Sequence, residues 1–238
     1  MSYKETRSAY CNCNKRIYIG DNRYNIPEII KQDIDIEDTE MLSFNYVVGN
    51  SQKIDNDFRK KICHFYIDDY QFDRIWNTPD RYIGLMKKFK AVLAPDFSLY
   101  DDFPVAVNLY NHYRKHWIAR YWQEHGVTVI PTLCWADNSM DFCFDGTPKH
   151  ATVSISTIGC TEKDGRDYWT GFYKAIEELQ PSKILLFTNT KEVVFPKPID
   201  YDCKIVRVVN GSFANVQKYK EYLKTTNVIS VKRKRKSR

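Results

Sequence analysis

The stretch Ala91–Trp135, AVLAPDFSLYDDFPVAVNLYNHYRKHWIARYWQEHGVTVIPTLCW, followed by Phe142–Cys160, FCFDGTPKHATVSISTIGC, reads as strand, helix, strand, loop, strand. Ala91–Ala94 is an apolar run stopped by Pro95 and Asp96. Asp101, Asp102 and Pro104 mark a helix start, because proline is tolerated in a first turn, and Gly126 ends that helix just after His125. Val127–Cys134 is apolar almost throughout, as a strand covered on both faces should be. Trp135–His150 is a loop with an Asp145–Gly146 turn, and Ala151–Ser156 is the next strand.

The same alternation extends outward. Ile62–Ile67 reads as a strand before Asp68 and Asp69, and Tyr70–Phe89 as helix broken at Pro79. Asp164–Leu179 is an amphipathic helix closed by Pro181; Lys183–Phe187 and Lys204–Val209 are strands, and Asn215–Leu223 a last helix. Such alternation implies right-handed crossovers. The expected fold class is α/β, a mainly parallel sheet of about six strands flanked by helices, either an open sheet or an incomplete barrel. Upstream, Ser43–Val48 is a strand candidate and Arg16–Gly20 a weaker one. Three parts are expected: residues 1–60 as an N-terminal extension packed on the main domain, 61–230 as the α/β domain, and 231–238 as a disordered basic tail.

At 238 residues and 43% hydrophobic, the chain is long enough for one domain with a sizeable core. No apolar run reaches the length of a membrane span or resembles a secretory signal. Seven cysteines without a pairing framework suggest reduced thiols, hence a cytoplasmic setting in a host cell. The net charge of +6 resides in the tail: 36 basic residues less the six of Lys232–Arg238 leave 30 against 30 acidic. A neutral body argues against a nucleic-acid groove spanning a face. Lys232, Arg233, Lys234 and Arg235 are candidate nucleic-acid contacts through salt-sensitive attraction to phosphates, with a localisation signal or a solubilising end as the competing readings.

In parallel α/β folds ligands sit beyond the carboxyl ends of the strands. Those ends carry Asp96, Ser98 and Asp101; Trp135; Ser156 and Thr157; and Thr188. On the Pro104–His125 helix, at about 100° per residue, an apolar arc runs through Tyr110, Tyr113, Trp117, Tyr121, Ile118 and Trp122. Asn111 and Arg114 fall inside that arc, while His112, Lys115, His116 and Gln123 face away, toward solvent. A buried arginine needs a partner, and its fork suits carboxylate or phosphate oxygens. Asp96, Asp101 or a bound anion is the expected partner, against the plainer reading of a structural bridge that locks helix to loop. Asp96 and Arg114 are thus the catalytic candidates, and Asp101, Asn111, Trp135, Ser156, Thr157 and Thr188 the ligand-binding ones.

No metal site is expected: Cys11 and Cys13 lack a second pair, and His112 and His116, at i and i+4, lack the glutamate of a zinc-protease helix. No GxxxxGK[ST] or GxGxxG loop is present, and the sequence names no cofactor.

The runs Phe65–Phe72 (FYIDDYQF), Ala94–Ser98 (APDFS), Asn111–Arg114 (NHYR), Val129–Thr132 (VIPT), Trp135, Phe142–Gly146 (FCFDG) and Ser154–Gly159 (SISTIG) resemble an uncharacterised domain family of bacteria, phages and mobile genetic elements. The resemblance covers roughly residues 63–188. It implies a phage or mobile-element setting, carries no established activity, and marks Asp96, Asn111, Arg114, Trp135, Ser156 and Thr157 as motif positions.

The expectation is a protein with an anion pocket, for phosphate or nucleotide, at the carboxyl ends of the strands, acting on nucleic acid or a nucleotide. The alternative is a non-catalytic module that sequesters a nucleotide or binds a host protein. The residues are compatible with turnover and with binding alone. A third reading, an accessory protein tethered to DNA through its tail, makes the pocket irrelevant.

Overall fold

The computed structural model describes residues 12–49, 58–158, 165–188, 193, 195–199, 202–209 and 229–230. Strands β1 (Glu40–Ser43), β2 (Lys61–His64), β3 (Ala91–Leu93) and β4 (Val129–Ile130) pair in parallel and in chain order. A second sheet continues the order with β5 (Thr132–Leu133), β6 (Thr152–Ser156), β7 (Lys183–Thr188) and β8 (Lys204–Val209), all parallel, and a short antiparallel β9 (Ile229–Ser230). The class is α/β with parallel pairing, but instead of one sheet of about six strands there are two, of four and five strands. Pro131 divides them. It has no N–H to donate to a ladder, while its carbonyl accepts from the Ser154 amide at 2.8 Å and so joins the sheets' adjoining strands.

The sheets curl. Phe187 on β7 lies four strand steps from β2, about 19 Å in a flat sheet at ~4.8 Å per step. Yet its ring centroid is 4.6 Å from that of His64 and 5.0 Å from that of Tyr66. Alternation does the rest. Leu185, Phe187, Val206 and Val208 point inward and join the core formed with the first sheet. Ile184, Leu186 and Ile205 point outward, under Phe172, Ala175, Ile176 and Leu179 of helix α5 (Gly165–Leu179). At the amino ends of the strands, Lys183 bonds Asp33 at 3.1 Å and Lys204 pairs with Glu37.

Between strands lie α1 (Phe44–Gly49), α2 (Arg74–Asn77), α3 (Asp80–Met86) and α4 (Val105–Glu124). Phe44–Val48 is helix where a strand was expected: β1 ends at Ser43, and Phe44 and Val47, one helical turn apart, are the two residues of α1 fully buried. Residues 16–20, the weaker strand candidate, form no strand. The expected Asn215–Leu223 helix and the tail lie outside the described residues.

Helix α4 occupies almost the span the sequence predicted, but its polar side is not solvated. His112, Lys115 and His116 are 0–1% exposed, whereas Tyr110 and Val107 are about 40% exposed. Residues 12–32 strap across that side: the Trp117 indole donates to the Arg16 carbonyl at 3.0 Å, His116 Nδ1 meets the Pro27 carbonyl at 3.0 Å, and Gln123 bonds both the amide and the carbonyl of Ile30. The loop after β5 covers the rest, with His112 Nε2 3.0 Å from the Asp145 carbonyl. Gly146 sits at φ +75°, where a Cβ would stand 2.5 Å from the Pro27 carbonyl and 2.8 Å from His116 Nδ1, so only glycine fits.

Candidate functional site

The carboxyl ends of β3 and β5 lie side by side, linked in the chain by the crossover helix α4. Ala94 is held on both sides, its amide by the Ile130 carbonyl at 2.9 Å and its carbonyl by the Thr132 hydroxyl at 2.8 Å. Pro95 then turns the chain, leaving Asp96 half-buried at the rim; Cys134 follows β5 there. Helical side chains lean toward the helix N-terminus, which is at this rim. Lys115 accordingly reaches up from α4 and places Nζ 3.2 Å from Cys134 Sγ. Among the described residues that sulfur is the one hydrogen-bond acceptor of a 1% exposed ammonium.

Asp96 Oδ1 is shut off from solvent and has no hydrogen-bond partner among the described residues. Burial raises its carboxyl to about 6, and the nearby Asp69 adds to this; the Lys115 ammonium and a hydrogen bond with Cys134 pull the other way. Burial also pushes the Cys134 thiol up to about 12, with Lys115 opposing. The floor is Tyr66, whose hydroxyl lies 2.7 Å from Ser154 Oγ and is raised well above its ordinary value by burial and then by Asp96. Below it, burial drives His64 down to about 3. Asp69 accepts from the Ser98 hydroxyl at 2.8 Å and the Ser98 amide at 3.1 Å, and burial raises its carboxyl.

Arg114 finds neither Asp96 nor Asp101. Its Nη1 donates to Asp73 at 2.6 Å, its Nη2 to Asn111 Oδ1 at 2.7 Å, and its guanidinium lies 3.9 Å from the Phe97 ring centroid. Asn111 in turn donates to the Ser98 carbonyl at 2.8 Å. The pair therefore grips the Phe97–Ser98 rim beside Asp96. Asp101 is exposed and accepts from the Asp137 amide at 2.6 Å. Trp135 turns away onto α5, 5.3 Å from the Tyr168 ring and so close to Gly171 that a Cβ there would stand 2.3 Å from the indole. Ser156 Oγ accepts from the Ile158 amide at 3.0 Å, and the Thr157 amide donates to the Phe187 carbonyl at 2.9 Å. Thr188 ends β7 fully buried. Lys232, Arg233, Lys234 and Arg235 lie outside the described residues.

Lys115, Cys134, Tyr66 and Asp69 escaped the sequence reading. Cys134 and Asp69 lie just past strand ends, so the rule that selected Asp96 reaches them too. Lys115 had no such signal, because it lies in the helix's polar arc and meets Cys134 only once the helix is folded onto the strand end. Among the described residues no group of three or more His, Cys, Asp or Glu side chains is placed to hold a metal ion, and no helix is long and apolar enough to cross a membrane. A separate surface hollow of about 580 Å³, with Asp21, Glu28, Asp145, Lys149 and Glu178 among its walls, opens by the C-terminus of α5.

The chain is 42% identical over 127 residues to the Gene 1 protein of Mycobacterium phage L5, and 40% identical over 127 residues to that of Mycobacterium phage D29. These matches cover 52% of this chain and 56% and 47% of the two phage proteins, so the chain spans about half the length of the curated relatives it matches. No solved structure matches it. Residues 18–204 match a single family model, and the match takes in most of the strap and β1 as well as the motifs from Phe65 onward: the chain belongs to the family described as Domain of unknown function (DUF4417).

Proposed function

We propose that this is a phage or mobile-element protein that binds a small anion, a nucleotide or another phosphorylated molecule, at the carboxyl-end mouth of an incomplete barrel, and acts on it or on nucleic acid there. The observation that carries the reading is the Lys115 ammonium, buried at the mouth with, among the described residues, one thiol as its acceptor. An ammonium has three donors, and burying them unmet costs several kcal/mol, a cost an anion at the mouth offsets. Asp96 is the acid/base candidate, Lys115 the anion contact, and Ser156, Thr157 and Thr188 further contacts on neighbouring strand ends. Arg114 and Asn111, through Ser98, hold the rim in place. The basic tail adds attraction to phosphate backbones.

A non-catalytic module that sequesters a nucleotide is the second reading. It is favoured by the rim's internal bonding, in which Arg114, Asn111, Ser98 and Asp69 form one connected chain of hydrogen bonds. The test is mass spectrometry of small molecules released on denaturing the wild type and Lys115→Met, with calorimetric titration of ATP into both. A phosphorylated molecule present in the wild type and absent from the variant supports the site; no released molecule and no heat from either protein sinks it. Protonation of Asp96 removes the competing negative charge, so ATP should bind more tightly as pH falls through about 6.

A further inference from the structure

We propose that Cys134, Asp96 and Lys115 form a nucleophile, base and cation set that hydrolyses a small carboxamide; the inference rests on reading the same mouth as the ligand site. Three observations meet there. The thiol is half-buried at a strand end, hydrogen-bonded to the Asp96 carboxyl, whose Oδ1 is buried without a partner among the described residues, and 3.2 Å from an ammonium. Among the described residues the ammonium meets no second acceptor, and burial raises the carboxyl to about 6. A nucleophile beside a base, with a positive charge aimed at the reacting atoms, is what covalent acyl transfer requires. Lys115 could instead be a purely structural lysine, but helix locking favours a carboxylate or carbonyl acceptor over a weakly accepting sulfur.

The chemistry balances with water as the one co-reactant. Sγ attacks the amide carbon while its proton passes to the Asp96 carboxylate; the carbonyl electron pair moves onto oxygen, where the spare Lys115 donors meet it. The carbonyl re-forms as the C–N bond breaks, and Asp96 returns the proton to the departing amine. Water then attacks the thioester, giving its proton to Asp96; the C–S bond breaks and the sulfur takes the proton back. Amide and water become carboxylic acid and amine. At rest the thiol stays protonated, since burial raises it, so its proton moves as the new bond forms.

The full-length protein is treated with p-nitrophenyl acetate, a generic acyl donor, and acetylation is followed by nitrophenolate release and by mass mapping. The expected result is a hydroxylamine-labile acetyl group on Cys134, formed faster than on buried Cys63 or Cys143, with a rate that rises through about pH 6 as Asp96 ionises. Cys134→Ser should abolish the thioester. Asp96→Asn should slow acylation on the order of 100-fold and flatten the pH profile, with a thermal melt confirming that it folds. Cys13→Ser should behave as the wild type. Acetylation of Cys134 no faster than of Cys63, or an unchanged rate in Asp96→Asn, overturns the proposal. If Asp96→Asn does not fold, a wild-type rate that is flat through pH 6 overturns it instead. The readout needs no anion, so acylation without ATP binding would reject the phosphate reading alone, and the reverse result this one alone.

Discussion

Arg114 shows how one side chain can stabilise a rim through its neighbours alone. Its contacts differ in value. Asp73 is 47% exposed, so the ion pair is screened and contributes at most about 1 kcal/mol. The stacking on Phe97 and the bond to Asn111 are better shielded and contribute a similar amount each. Asp73→Ala should therefore cost less than about 1 kcal/mol in urea unfolding, and Arg114→Ala about 2–3 kcal/mol. Equal losses from the two would make the salt bridge the main term and the stacking incidental.

Helix α4 is where the histidines act together. His64 inside the sheets and His116 on α4 are pushed down to about 3 by burial, and His112 is lowered too, by burial and then by its neighbours His116 and Lys115. Their folded values lie below the ordinary 6.5, so their stabilising effect is complete above that pH and is lost as pH falls from 6.5 toward about 3. Each ring takes away about 1.4 kcal/mol per pH unit in that window. Asp96, raised to about 6, works in the opposite sense between about 4 and 6 and cancels one ring there. Asp69 and Asp145, also raised by burial, act in the same sense as Asp96, and the expected net result is a fall in stability from pH 7 through 6 to 5, measured by urea unfolding. A flat profile would mean that these rings are not buried neutral in solution. The bounds of this helix were legible because Pro104 and Gly126 punctuate it. Its solvent side was not, because the strap covers the polar arc while the exposed positions near the helix start, Val107 and Tyr110, are apolar.

Across the molecule, sequential parallel order was legible from the alternation of apolar runs and amphipathic helices, and the rim could be drawn from where those runs end. The strand count fell short because Glu40–Ser43 is short and half-polar, while the valines that looked strand-like, Val47 and Val48, belong to the helix after it. That strand is paired residue for residue with β2, and the strap before it covers α4. A chain starting at residue 61 should therefore lose cooperative thermal unfolding by circular dichroism; a sharp transition would show that the later residues fold alone. The ion pairs at the sheets' amino ends carry a kinetic implication. Asp33 waits for Lys183 and Glu37 for Lys204, partners some 150 or more residues downstream. Closing such long loops is slow and entropically costly before it is rewarded. The seam between the first and last strands is thus the step that should set the pace of folding, and until it closes, the inward faces of β7 and β8 stay open to self-association.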